Sequence, residues 1–228
     1  MSSLAEALGN CQSYLPETFR LQNERLFHPE HLAKLASRLT QFHQEGVPEH
    51  YPPPTMDVEC TPPMSEIYEP FVEVMDNPSD SEALADALVN AGIEKILILL
   101  GQRHTPASLT DSRAIPRPSE FLLNSANEIF TGELSVGARA LTKHLQRTTL
   151  EFWGQLSGND QEKNRIAQEM IQGILSEATW WNVFFHYKHE VVFEARISQG
   201  YGARWGSDGE VFIGFLEPFT PGFPLQRE

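Results

Sequence analysis

The chain has 228 residues, of which 40% are hydrophobic and 21% are charged, as in folded globular proteins. Its 31 acidic residues outnumber the 17 lysines and arginines, and the net charge is −14. Residues 1–92 hold 15 acidic and 4 basic residues, so the N-terminal part is the more acidic. Because nucleic acids and anionic membranes attract basic proteins, we expect this protein to bind neither nucleic acid nor membrane.

The two cysteines, Cys11 and Cys60, have neither the number of a disulfide scaffold nor the spacing of a structural zinc site. The N-terminal residues lack the basic and apolar regions of a secretory signal. No apolar run reaches the roughly 20 residues that a membrane span needs. We therefore expect a cytoplasmic protein that forms a single globular domain over residues 1–228.

The N-terminal part of the chain is expected to be helical and then extended. Apolar residues at helical spacing predict a helix from Pro29 to about Gly46. Residues 47–64 contain six prolines, a density that neither a helix nor a central strand tolerates. We interpret this stretch as an extended strap or linker with apolar anchors.

The next segment has the order of elements that is typical of an α/β unit: a helix, a glycine and a short apolar run. A helix is predicted to begin near Ser81 and to end at Gly92, a natural C-cap. The apolar run that follows is bounded by Gly92 and Gly101. This run predicts a buried strand at residues 95–100.

Three further helices are predicted before the C-terminal region. Their apolar residues follow helical spacing over residues 119–130, 135–153 and about 160–178. Ser135 is placed to cap the second of them, and the asparagine and aspartate before residue 161 to cap the third. The third helix is expected to pack across the sheet that follows it.

A stripe of basic residues lies on the polar side of the second helix. Arg139, Lys143 and Arg147 recur every four residues in this acidic protein. They could hold an anion or an acidic partner, or form a solvated helix face. His144 lies at the edge of the apolar face, where a histidine is more often a hydrogen-bonded core residue than a catalyst.

The most apolar and aromatic part of the chain is Trp180–Pro218. Side chains alternate over Val191–Ser198: one face carries only apolar residues, and the other carries Val192 and then polar residues. The glycine-rich stretch at residues 206–209 predicts a tight turn. We predict an antiparallel meander from about residue 182 to residue 217.

The predicted fold class is therefore α+β. We expect a mostly antiparallel sheet with a C-terminal three-stranded meander, covered by several helices. The sheet would be mixed if the strand at residues 95–100 joined it in parallel.

The meander contains the most informative polar set. Glu194 and Arg196 are two residues apart on a strand and share a face. A turn at residues 199–200 would bring Arg204 beside them. Two arginines and a carboxylate could bind an anionic ligand, since a guanidinium matches a carboxylate or phosphate. The plainer interpretation is a cross-strand ion pair on a half-exposed sheet.

Other residues complete this predicted ligand site. Tyr201 and Trp205 would line it as aromatic walls, and Arg147 would approach from the basic helix. His144 or Glu194 would transfer protons if the site is catalytic. No cofactor can be identified from the sequence.

A metal site is not predicted. His186, His189 and Glu190 briefly resemble a metal-binding pattern, but residues three apart on a strand face opposite ways. Metalloprotease motifs place their histidines four apart on a helix.

These features lead to one functional hypothesis and two alternatives. The first is a small-molecule-binding protein, or an enzyme, that acts on a carboxylate or phosphate ligand. The second is a non-catalytic interaction module that contacts a protein partner through the acidic N-terminal half and the proline-rich segment. The third is a structural subunit of a larger assembly.

Overall fold

The computed structural model describes residues 3–148 and 151–219. Contacts between Cα atoms divide the chain into two compact units. The first comprises Met1–Tyr51 and Cys60–Pro118, and the second Pro52–Glu59 and Ser119–Glu228. The expectation of a single domain stays a prediction. The strap predicted at residues 47–64 is shared between the two units.

The first unit is built from helices. Their bounds are α1 (Leu4–Asn10), α2 (Glu17–Gln22), α3 (Pro29–Glu45), α4 (Met64–Tyr68) and α5 (Ser81–Leu99). The N-terminus of α3 is fixed by Pro29 at its first position and by the His28 side chain, which accepts a hydrogen bond from the Glu30 amide. Its buried residues follow the predicted helical spacing, and the helix ends at Gly46 as expected.

Helix α5 includes the segment that was predicted to be a strand. Gly92 has a φ of 70° and a ψ of 167°, which is not helical, so one helical segment ends there as predicted and a second begins after the kink. Ile96 to Leu99 continue as helix and are all buried. The prediction of a strand at residues 95–100 is therefore wrong. A short run of apolar residues fits a helix buried on all sides as well as it fits a strand.

The second unit combines helices with two antiparallel sheets. Its elements are α6 (Ser119–Asn127), β1 (Ile129–Thr131), β2 (Leu134–Ser135), α7 (Val136–Leu145), α8 (Asp160–Glu177), β3 (Ala178–His186), β4 (Glu190–Ile197), β5 (Gly202–Gly206) and β6 (Phe212–Leu216). Strands β1 and β2 form a small hairpin, and β3 to β6 form a sheet in sequence order. The predicted α+β class and the C-terminal antiparallel meander are confirmed.

The meander has four strands over the described residues because the chain turns sharply at Gly200. The Gly200 amide donates to the Ile197 carbonyl at 2.8 Å, and Gly200 has a φ of 90°. The turn separates β4 from β5. From the sequence alone, residues 201–205 could also have continued the preceding strand.

The register of the sheet gives its two faces different chemistry. Phe193 lies opposite Trp205, and Glu194 lies opposite Arg204. The Trp205 indole is fully buried and donates to the Leu122 carbonyl of α6 at 3.0 Å. Helix α8 packs on β4, and α7 packs on β6. One face therefore carries apolar residues against the helices, and the other carries the charged residues.

The close approach of β4 and β5 depends on Gly202, which lies opposite Arg196. A Cβ atom at this position would collide with the Ala195 carbonyl oxygen and the Arg196 side chain. We expect Gly202→Ala to lower the free energy of unfolding by about 1–3 kcal/mol, as overpacking does. Urea denaturation followed by tryptophan fluorescence measures it, because all four tryptophans belong to the second unit.

Gly173→Ala in α8 is the matched control. A Cβ atom there would meet nothing within 4 Å, so the change should leave stability equal or raise it by up to about 1 kcal/mol through helix propensity. Equal stability of the two variants would contradict the close approach of β4 and β5 at Gly202.

Candidate functional site

Helix α7 presents the basic stripe. The Ser135 hydroxyl caps its N-terminus by accepting a hydrogen bond from the Ala138 amide at 3.1 Å. Arg139 and Lys143 are one turn apart on the helix, and Arg147 lies two residues beyond its end. Residues 134–150 contain no aspartate or glutamate. The stripe is therefore locally basic although the whole chain is acidic.

A cavity of about 240 Å³ lies between α7 and β6. On the α7 side it is lined by Arg139, Lys143, His144 and Arg147. On the β6 side it is lined by the stretch from Phe212 to Phe215. We call this cavity the α7–β6 groove. It combines cationic side chains, one histidine and an apolar floor, which is the composition of an anion-binding site.

His144 is held by a carboxylate and by aromatic rings. Its Nε2 atom donates to Glu217 Oε1 at 2.9 Å, since a carboxylate oxygen accepts. The Trp153 indole donates to the same oxygen at 3.0 Å. The rings of His144 and Trp153 meet edge to face, with centroids 4.7 Å apart. The imidazole is thus fixed in orientation, and an ionised Glu217 assigns the proton of a neutral ring to Nε2.

Glu217 is held through its backbone as well as its side chain. It follows directly after β6, where ladder hydrogen bonding has ended. The Arg196 Nη1 atom donates to its carbonyl oxygen at 2.8 Å and to the Gly200 carbonyl at 2.7 Å. Glu217 Oε2 is buried, and nothing in the described part of the chain donates to it. The carboxylate is therefore aimed at His144 by the protein around it.

The polar residues of the sheet form a compact ion network. Glu194 is 1% exposed and Arg196 is 4% exposed. The Nε and Nη2 atoms of Arg196 each donate to Glu194 Oε2 at 3.2 Å. Arg204 Nε donates to Glu194 Oε1 at 2.6 Å, and its Nη2 atom also pairs with that oxygen. The structure thus brings these three predicted site residues together.

The contacts of Arg196 give it a structural position rather than one that faces a ligand. Its donors are directed to Glu194 and to two backbone carbonyls, and its guanidinium lies 3.9 Å from the Phe219 ring centroid. Burial lowers its pKa, and the charge of Glu194 opposes that effect. Through Glu217, Arg196 joins the ion network to the α7–β6 groove.

The predicted aromatic walls lie in different environments. The Tyr201 ring stacks on Phe152 with centroids 3.8 Å apart and meets Trp153 edge to face. Trp205 is fully buried against α6. The roles of Tyr201 and Trp205 in a ligand site stay predictions, as do those of the other predicted site residues.

Sequence reasoning missed Glu217 and Trp153 as partners of His144. Glu217 lies 73 residues after His144, and the contact requires both the strand register and the packing of α7 on β6. The missed signal is local: Glu217 follows directly after the last strand, and loop positions beyond a strand end are common places for functional side chains.

Metal-ligating residues are not clustered. Across residues 3–148 and 151–219, no group of three or more His, Cys, Asp or Glu side chains is arranged to hold a metal ion. Within the same ranges, none of the helices has the length and apolar character needed to cross a membrane. The cytoplasmic location stays a prediction.

Comparison with known proteins gives one similarity. Residues 123–217 match a family model described as the CdiA C-terminal tRNase toxin domain. The match covers under half of the 228 residues and lies entirely within the second unit. It includes α7, the four-stranded sheet and Glu217. No curated protein and no solved structure is significantly similar to the chain.

This similarity corrects the functional hypotheses drawn from composition. A tRNase acts on nucleic acid, so the expectation of no nucleic-acid partner is wrong. The same finding contradicts both the small-molecule-binding protein and the non-catalytic interaction module. The expectation used the net charge, which averages over the whole chain and hides the local positive charge of residues 134–150.

The ion network predicts a dependence of stability on pH. His186 Nε2 faces the Nη1 atom of Arg204 at 3.0 Å. Burial, and then the charge of Arg204, lowers the pKa of His186 below that of an ordinary histidine. The unfolded state therefore binds more protons than the folded state below about pH 6.5. We expect the stability from neutral His186 to be complete above that pH and to be lost as pH falls.

Urea denaturation at about pH 7.5 and about pH 5 tests this expectation. His186→Gln should weaken the loss of stability on acidification, because glutamine cannot gain a proton beside Arg204. His50→Gln, at an exposed position of the first unit, is the control and should behave as the wild type. An identical pH response in His186→Gln and the wild type would contradict the assignment of this loss of stability to His186.

Proposed function

We propose that the second unit is an RNA-cleaving toxin domain that acts on tRNA in the α7–β6 groove. The observation that carries this proposal is the pairing of His144 with Glu217 beside three cationic side chains. All these residues lie in the segment that matches the tRNase toxin family model, and the similarity supports RNA as the substrate. Shape and charge of the groove support a phosphodiester as the reacting group.

The cationic side chains would bind the RNA backbone. Arg139 and Lys143 are four residues apart on α7, or about 6 Å along the helix axis. At this spacing the two cations would contact neighbouring phosphates of one RNA strand. The arginines would also stabilise the extra negative charge that develops on the phosphate during cleavage, which is where electrostatic catalysis is most effective.

His144 would act as the general base. Its Nε2 atom carries the proton donated to Glu217, so Nδ1 is the nitrogen that can accept a proton in the neutral ring. It would take the proton of a ribose 2′-hydroxyl as that oxygen attacks the adjacent phosphorus. The bond from phosphorus to the 5′ oxygen would break, and that oxygen would take a proton from solvent. The products are a 2′,3′-cyclic phosphate and a 5′-hydroxyl.

Glu217 would orient the ring and stabilise the imidazolium formed in this step. A carboxylate that holds the second nitrogen of a catalytic histidine fixes its tautomer and favours its charged form. Trp153 donates to the same carboxylate oxygen and so limits its rotation. Trp153 and Arg196 are in this view positioning residues.

Substitution of His144 tests the catalytic assignment. We expect His144→Ala to slow cleavage of a tRNA pool by about 100-fold or more, because general-base catalysis contributes that much. Glu217→Gln should slow it by at least about 10-fold, since the ring loses its charged partner. Cleavage is followed by gel electrophoresis, and the 3′ ends are analysed for cyclic phosphate.

His189→Ala is the matched control, because His189 is an exposed histidine of the turn between β3 and β4. It should retain wild-type cleavage, and circular dichroism should show equal folding of all variants. Full activity of a folded His144→Ala protein would refute the proposed catalytic role.

The basic stripe makes a separate prediction about salt. Lys143→Gln should weaken binding of RNA and lower the slope of log affinity against log salt by about 1, as expected for the loss of one phosphate contact. Lys188→Gln removes an equal charge from an exposed turn outside the groove. Fluorescence anisotropy with labelled tRNA should show an unchanged slope for Lys188→Gln. Equal slopes for the two variants would contradict RNA binding in the groove.

A further inference from the structure

The hairpin of β1 and β2 exposes apolar side chains next to the groove. Phe130 is 47% exposed, although removal of a phenylalanine side chain from water is energetically favourable. The guanidinium of Arg139 lies 3.7 Å from the centroid of its ring. Arg139 also lines the α7–β6 groove. Phe130 and Arg139 thus form a stacked pair that is continuous with the proposed RNA site.

The hairpin that carries Phe130 is held firmly in place. Asn164 of α8 bridges it, since its amide oxygen accepts from the Ser135 amide at 2.9 Å and its amide nitrogen donates to the Glu133 carbonyl at 2.7 Å. The Val136 amide donates to the Glu128 carbonyl at 2.8 Å. An exposed aromatic ring on a fixed backbone is preorganised for a partner, because little motion is lost on binding.

The chemistry of the pair selects its partner. Unpaired nucleobases stack on aromatic rings and on arginine guanidinium planes, whereas paired bases are hidden inside a duplex. The neighbouring cations of α7 attract the phosphates that any such base carries with it. A purely apolar partner would gain nothing from these cations.

From this arrangement we infer that Phe130 and Arg139 form a stacking subsite for an unpaired nucleobase of the RNA, next to the phosphate that is cleaved. This inference rests on the proposed RNA-cleaving function and adds to it a substrate class. The subsite requires the RNA to be single-stranded at the base it holds. Cleavage would therefore fall in a loop or at an end, not within a duplex.

Steady-state kinetics with mapped substrates test the subsite. The cleavage site in tRNA is mapped first, and a single-stranded oligoribonucleotide of that sequence is then used. We expect Phe130→Leu to raise KM by about 10-fold with little change in kcat, because it keeps apolar bulk but loses the stacking face. Phe130→Trp should restore wild-type KM. Phe185→Ala is the control, since Phe185 is 59% exposed on β3 outside the groove.

A second substrate separates stacking from folding effects. Removing a single base beside the cleaved phosphate, to leave an abasic ribose, should raise KM for the wild type but not for Phe130→Leu. Equal KM values for wild type and Phe130→Leu on the intact oligonucleotide would overturn the subsite while leaving the RNA-cleaving function intact. Absence of cleavage of every RNA by the wild type would overturn both.

Discussion

The hydrogen bonds around Glu217 are the constraint on which the candidate site depends. Its side chain accepts from His144 and Trp153, and its backbone accepts from Arg196. Each partner comes from a different part of the second unit. Arg196 is in turn fixed by the buried Glu194, and a buried arginine without that carboxylate would be costly. The sheet therefore supports the groove through one guanidinium that joins its ion network to the residue after its last strand.

The net charge of −14 shows why composition is a poor guide to partners when a site is small. Phosphate binding depends on the potential within about a Debye length of roughly 8–10 Å, not on a sum over the whole molecule. Residues 134–150 carry three cations and no anion, so their local charge is positive. If the proposed function holds, the acidic residues elsewhere would limit unspecific binding of nucleic acid and leave binding to the groove.

The parts of the fold that could be predicted from the sequence are those with a local pattern. The alternation over Val191–Ser198 and the glycine-rich turn near residue 207 were enough to predict the meander. The apolar run at residues 95–100 has no such pattern, and it proved helical. The contact between Glu194 and Arg204 could be anticipated because it needs one turn. The pairing of His144 with Glu217 could not, because it needs helix packing as well as strand register.

The His144–Glu217 pair differs from an ordinary structural hydrogen bond because one oxygen of its carboxylate receives no donor from the described residues. Glu217 Oε2 is buried and accepts no hydrogen bond from the described residues, and an unmet buried acceptor costs about 1–3 kcal/mol. The Glu217 side chain is 35% exposed, so solvent around the carboxylate reduces this cost. A carboxylate that must stabilise a histidine cation during each reaction cycle has a reason to stay charged. Under the proposed function, the charge of Glu217 would serve the catalytic step as well as the fold.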